Sequence, residues 1–204
     1  PSGQLLISVD IDSTLAGLTG GPSGTSVDDS DIVQFTPSSL GATTAGTWTF
    51  YFDGSDVGLT TTGEDIDALS ITSSGQLVIS TLDAPTVTGP TGLQDEDLIA
   101  FTPGTLGSVT TGTWSYYFDG SDVDLATNNN EDIDAACVTS TGHLLLSTLG
   151  AFSVTGVTGS DEDVFYFTPT ALGTATTGTY AAFLDLSTLG IATSANVNAV
   201  ELLP

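Results

Sequence analysis

Apolar residues in this chain come in short runs separated by Gly, Thr and Ser, with few signs of a helical face. Those three residues recur every few positions and are poor choices for helix interiors. Short β-branched and aromatic runs between turn residues read as strands. In the middle of the chain the pattern predicts a strand at 66–72, the turn Ser73-Ser74-Gly75 and a second strand at 76–80. A longer connection, 81–94, leads to a third strand at 98–102, where Pro103 is expected to stop it because proline cannot donate to a ladder. The turn-rich stretch 104–111 leads to a fourth strand at 113–118, ended by Asp119-Gly120, and the pattern restarts at Ile133. Leu98-Ile99-Ala100-Phe101 and Trp114-Ser115-Tyr116-Tyr117-Phe118 are apolar or aromatic on both faces. Strict alternation would mark a sheet with one wet face. These strands are expected to be covered on both sides by neighbouring sheets.

The pattern repeats. Phe35-Thr36-Pro37 recurs as Phe101-Thr102-Pro103 and Phe167-Thr168-Pro169, 66 residues apart each time (101−35 and 167−101). Gly46-Thr47-Trp48 recurs as Gly112-Thr113-Trp114 and Gly178-Thr179-Tyr180, and Phe52-Asp53-Gly54-Ser55-Asp56-Val57 recurs from Phe118 to Val123. A fixed period decides architecture ahead of single residues. One array is expected, with repeats at 1–64, 65–131 and 132–195 and a last strand at 196–204. The chain opens in the second half of the hairpin seen at 70–80 and closes in the first half. Its two ends therefore abut in the repeat frame, and the first and last repeats read as incomplete.

A first strand, a Ser-Gly turn, a second strand reading Leu-Val-Ile-Ser and then two more strands resemble the β-propeller-type tandem repeats of secreted bacterial surface proteins. The resemblance covers nearly the whole chain on generic motifs. It implies an all-β fold of tandem four-stranded antiparallel sheets, like propeller blades. Sixty-six residues is long for a blade, and three blades are fewer than the usual minimum of about four. Three repeats are not expected to close alone, and a β-sandwich array or an open stack of sheets fits the same pattern.

Charge changes the picture most. The 204 residues include 25 Asp and Glu but no Lys or Arg, for a formal net charge of −25. With 39% hydrophobic residues the chain nonetheless supports a core. Its carboxylates repel one another. Nothing neutralises phosphates, so nucleic acid is excluded as a partner, and anionic membrane surfaces for the same reason. The natural counter-charge is Ca²⁺, which prefers carboxylate and carbonyl oxygens. A single cysteine, Cys137, rules out an intrachain disulfide. Cysteine scarcity and the lack of any tryptic site suit an extracellular or cell-surface setting. No apolar run approaches the length of a membrane-spanning helix.

The best candidate constellation is Asp-x-Asp. Asp29/Asp31, Asp95/Asp97 and Asp161/Asp163 are equivalent across the three repeats. Asp65/Asp67 and Asp132/Asp134 form a second set, with Asn196/Asn198 in the last copy. On a strand, residues two apart share a face, and two adjacent carboxylates favour a cation between them. The first set is the expected Ca²⁺ site; the alternative is a solvated acidic edge that protects strand edges. Phe52–Asp56 and Phe118–Asp122 read as tight turns built on Asp-Gly. Cys137 replaces a Ser or Glu and is expected in polar surroundings; His143 replaces Gln and is expected at the surface. Trp48, Trp114 and Tyr180 share one slot, expected in the core between repeats, with a glycan-stacking row as the alternative.

The expected function is a non-enzymatic extracellular structural repeat protein. It assembles end to end with copies of itself, as a filament, sheath or surface layer, through Gln4, Leu5, Leu6 and Ile7 on one strand and Ala199, Val200, Glu201, Leu202 and Leu203 on another. The alternative is an adhesin or glycan-binding module using loops such as 81–94 and 151–160. An acid–base hydrolase is a third class. It is disfavoured because the carboxylates repeat with the fold, whereas general acid–base catalysis needs two groups in different environments.

Overall fold

A computed structural model describes residues 3–125 and 130–202. Every regular element among them is a strand or a single 3₁₀ turn. The chain runs through β1 (Leu5–Ile7), the short pair β2 (Ser13–Thr14) and β3 (Ser26–Val27), then β4 (Ile32–Ser39) and β5 (Ala45–Phe52). It continues through β6 (Ile66–Ile71), β7 (Leu77–Thr81), β8 (Leu98–Thr105) and β9 (Thr111–Phe118). Next come β10 (Ile133–Val138), β11 (Leu144–Thr148), the ribbon β12 (Phe152–Val154) and β13 (Val157–Gly159), then β14 (Asp163–Ala171) and β15 (Thr177–Asp185). The protein is all-β, built from several small antiparallel sheets. Two have four strands, in the orders β6-β7-β8-β9 and β10-β11-β14-β15; one has three, β1-β4-β5.

Local chemistry places the turns. Between β6 and β7, Gly75 holds φ at 83°, and Thr72 N–H donates to the Gln76 carbonyl at 2.9 Å. That left-handed conformation favours glycine. The repeated Gly-Thr-Trp motif has a different cause. A side chain at Gly112 would sit 2.4 Å from both the Phe101 ring and the Thr102 carbonyl, and Gly46 and Gly178 are as tightly covered. The phenylalanine ring of the third strand lies over the glycine of the fourth.

Pro103 does not stop its strand. β8 continues to Thr105, with Pro103 opposite Gly112 and a register shift just beyond. The ladder from β7 ends at Phe101. From Thr102 onward β8 has a neighbour on one side only, where a residue without N–H is tolerated. Pro37 and Pro169 sit the same way.

The third strands are buried on both faces: Leu98, Ile99, Ala100 and Phe101 are each 1% exposed or less. Ile32, Phe52 and Leu59 pack with Ile79, Ile99, Phe101 and Trp114 in one cluster. Leu98, Phe118 and Leu125 pack with Leu144, Leu146, Phe165 and Phe167 in the next. Each sheet therefore shares a core with its successor. The outer face of the first sheet is covered by the chain's own Leu18 and Val27. The last face, at Cys137, Leu145 and Val164, meets Val197 and Val200.

Candidate functional site

Polar contacts at the junctions between sheets repeat as closely as the cores. Gly107 N–H donates to the Tyr51 carbonyl at 2.8 Å, and Gly173 N–H to the Tyr117 carbonyl at 2.9 Å. The Thr110 hydroxyl accepts from Asp53 N–H at 3.0 Å, while Thr110 N–H donates to Asp56 Oδ2 at 2.8 Å. Thr176 makes the same pair of bonds with Asp119 N–H and Asp122. The Asp-Gly-Ser-Asp turn of one repeat thus grips the outer hairpin of the next.

Contrary to expectation, the first set of Asp pairs lies off the strands, except that Asp163 opens β14. Asp29/Asp31 and Asp95/Asp97 occupy turns ahead of β4 and β8, and Asp161 occupies the turn ahead of β14. In a turn, spacing by two no longer implies a shared face, and the members separate in role. Asp31 accepts from Asp28 N–H at 2.9 Å and from Gly54 N–H at 3.3 Å. Asp97 accepts from Gln94 N–H and Gly120 N–H, both at 2.9 Å. Asp163 accepts from Ser160 N–H at 3.0 Å, but its Oδ1 has no partner. Leu186 stands there in place of the glycine. Burial pushes the Asp31 and Asp97 carboxyls up to about 6, against the pull of these bonds.

The other members face the following repeat. The carbonyls of Asp29, Asp95 and Asp161 accept from Ile66, Ile133 and Val197 N–H. The Asp29 carboxyl is pushed up to about 7 by burial, Asp28 and Asp65. It lies with Asp12 and Asp28 in a group whose carboxylate oxygens are within 4.8 Å of one another, Asp12 and Asp28 being exposed. Exposed acids of this kind are ordinary without an ion.

The second set holds the more unusual electrostatics. Asp132 and Asp134 flank Ile133 at the start of β10 and are 2% and 3% exposed. Asp132 Oδ1 and both oxygens of Asp134 are buried without a hydrogen-bond partner. Asp65 Oδ1 and Asn196 Oδ1, in the same slot as Asp132, are also unpartnered. Burial, then Asp67 and Asp95, push Asp132 up to about 9. Burial raises Asp134 to about 7; the Asn196 amide leans toward it and opposes the rise, yet no donor reaches hydrogen-bonding geometry. Asp67, half-buried, is raised to about 6 by burial and Asp65.

Of the residues expected to mediate assembly, β1 pairs with β4 alone among the described residues, and Gln4 bonds Thr36 and Gln34 within the chain. Ala199 to Leu202 are in no ladder, and Leu203 lies outside the described residues. Val200 packs on Cys137, Leu145 and Val164 instead. Leu5, Ile7, Ser70, Ala135 and Val200 line one cleft of about 760 Å³.

Cys137 is 1% exposed and packs in an apolar cluster, yet the Glu201 carboxyl and the Leu202 backbone also lie beside its thiol; burial pushes the thiol up, away from reactivity. His143 hydrogen-bonds the Tyr166 hydroxyl through Nδ1. Trp114 is core, packed on Phe101 and Phe52, with its indole donating to the Val57 carbonyl. The gripping threonines, Thr110 and Thr176, were legible only as a recurrence with Thr44 at the same 66-residue spacing (110−44 and 176−110). No protein-family model, curated protein or solved structure matches this chain.

Proposed function

We propose that this is a non-enzymatic structural protein of propeller-blade-like repeats that assembles end to end with copies of itself. The setting is extracellular or at the cell surface. The observation that carries the reading is a set of equivalent positions. Leu59 and Leu125 are fully buried where one repeat meets the next, yet their counterpart Ile191 is 45% exposed. Phe183, in the slot of the part-buried Tyr51 and Tyr117, is 49% exposed, and Leu189, in the slot of Val57 and Val123, is 68% exposed. An exposed apolar patch of interface type favours a partner. The polar half of the contact is open as well. Gly41 and Thr44, counterparts of the gripped Gly107 and Thr110, are exposed. So is Asp185, the counterpart of Asp53 and Asp119. Among the described residues one edge of β1 has no ladder partner, and this supports strand completion by a second copy, because an unpaired strand edge is a template for pairing. The repeated carboxylates favour Ca²⁺ as a stabilising partner.

Sedimentation velocity over about a hundredfold concentration range is the test, since self-association depends on mass action. The expected result is a distribution that shifts to larger species with concentration, and a smaller shift for Ile191→Asp and Phe183→Asp. A single 20.6 kDa species at every concentration would overturn the reading.

A further inference from the structure

We infer that the unpartnered oxygens of Asp132, Asp134 and Asn196 form a binding site for a hard divalent cation, Ca²⁺. The site lies at the start of β10, between the second and third repeats, away from the turn pairs that sequence spacing singled out. It stands independently of the assembly reading.

Burial without partners is the first ground. Asp134 has both oxygens sealed from solvent and neither hydrogen-bonded; Asp132 has one, and Asn196 contributes an amide oxygen in the same condition. A native protein leaves few such atoms, and a bound ion is among the usual reasons for them. The second ground is the sign of the surroundings. The charged groups acting on Asp132 are Asp67, Asp95, Asp134 and Asp83, and on Asp134 they are Asp67 and Asp161. All are acids, and the chain has no Lys or Arg to offset them. An unpaired buried carboxylate costs several kcal/mol. A cation taken up from solution would supply the compensating charge and let these acids ionise.

The donor set then selects the ion. Carboxylate and amide oxygens suit Ca²⁺, Mg²⁺ or Mn²⁺ over softer metals. Mg²⁺ keeps several waters and demands near-octahedral geometry, whereas Ca²⁺ takes six to eight protein oxygens in a flexible arrangement. Ligand oxygens with almost no solvent access fit the second behaviour. The last copy of the motif carries Asn196 and Asn198 where the third repeat carries Asp132 and Asp134. The fold therefore accepts an amide at both positions, which makes Asp134→Asn and Asp132→Asn fair tests.

The experiment is calorimetric titration of chelator-treated protein with CaCl₂, with terbium luminescence as a second reading, at constant ionic strength. The expected result is saturable binding that Asp134→Asn weakens at least about tenfold and Asp12→Asn leaves unchanged. Circular dichroism establishes that the variants fold. Three results would overturn the site. The first is no saturable binding; if Asp134→Asn then also raises the melting temperature, protons alone neutralise these acids. The second is binding by Asp134→Asn equal to that of the parent. The third is loss of binding in Asp12→Asn alone, which would move the ion to the exposed group.

Discussion

Glu64 carries a large share of its local structure on two oxygens. Oε2 accepts from Thr60 N–H at 2.6 Å and Thr61 N–H at 2.8 Å. Oε1 accepts from Thr86 N–H at 2.7 Å and the Thr86 hydroxyl at 2.9 Å. Burial alone would raise its pKa, but these bonds outweigh it and hold the carboxyl below its ordinary 4.5. A lowered folded-state pKa stabilises the protein above the unfolded value and stops doing so as pH falls through the folded one. Glu64→Gln is therefore expected to flatten the acid limb of a melting-temperature profile below about pH 4.5. Glu64→Ala leaves three backbone N–H groups without their acceptor and should cost about 3 kcal/mol or more in denaturant unfolding. An unchanged acid limb in Glu64→Gln would show that the bonds do not operate in solution. Nothing in the sequence marked this residue. It is one acid among 25, and Thr86, the partner that draws the connecting loop inward, lies 22 residues away.

At the scale of elements, strands were largely legible because turn residues and apolar runs report directly on backbone pairing. The expected strands at 66–72 and 76–80 appear as Ile66–Ile71 and Leu77–Thr81. The third strand extends beyond its proline because the second strand ends first, a tertiary fact that proline alone does not disclose. The Asp pairs were misread for a related reason: spacing by two places carboxylates together on a strand but not in a turn. Gly54 illustrates the consequence. Its Cβ would lie 2.2 Å from the Ser30 carbonyl, so only glycine lets the turn approach Asp31, and with Leu186 in that slot Asp163 loses its second donor. Thr110→Val tests the grip between repeats with little change of shape. It deprives Asp53 N–H of its acceptor and should cost about 1–3 kcal/mol, read as a lower denaturation midpoint with an unchanged slope. No loss would mean that the hairpin is held by its apolar contacts alone.

For the whole molecule, the charge and the repeated interface set different dependences on conditions. With 25 acids and no Lys or Arg, diffuse repulsion acts on every fold-compacting step. Raising NaCl from 0.01 to 1 M shortens the Debye length from about 30 to about 3 Å. The melting temperature is expected to rise across that range even with chelator present; a flat response would place the destabilising charge in buried groups that salt does not reach. The interface predicts a dependence on protein concentration instead. Thr44 occupies the slot of Thr110 and Thr176, but within one chain, among the described residues, its hydroxyl donates to the Gly41 carbonyl at 2.9 Å and accepts from no Asp N–H. In an end-to-end contact built like the internal ones, the same hydroxyl would accept from Asp185 N–H of the preceding copy, and Gly41 N–H would meet the Phe183 carbonyl. Thr44→Val should therefore be nearly silent in the dilute protein, where Thr110→Val is costly. Under concentrations at which the parent associates, Thr44→Val should shift sedimentation back toward the single chain and lower the melting temperature. Equal effects at all concentrations would mean that Thr44 serves its own hairpin only. Association of Thr44→Val as strong as that of the parent would mean that copies do not meet in the register of the internal junctions.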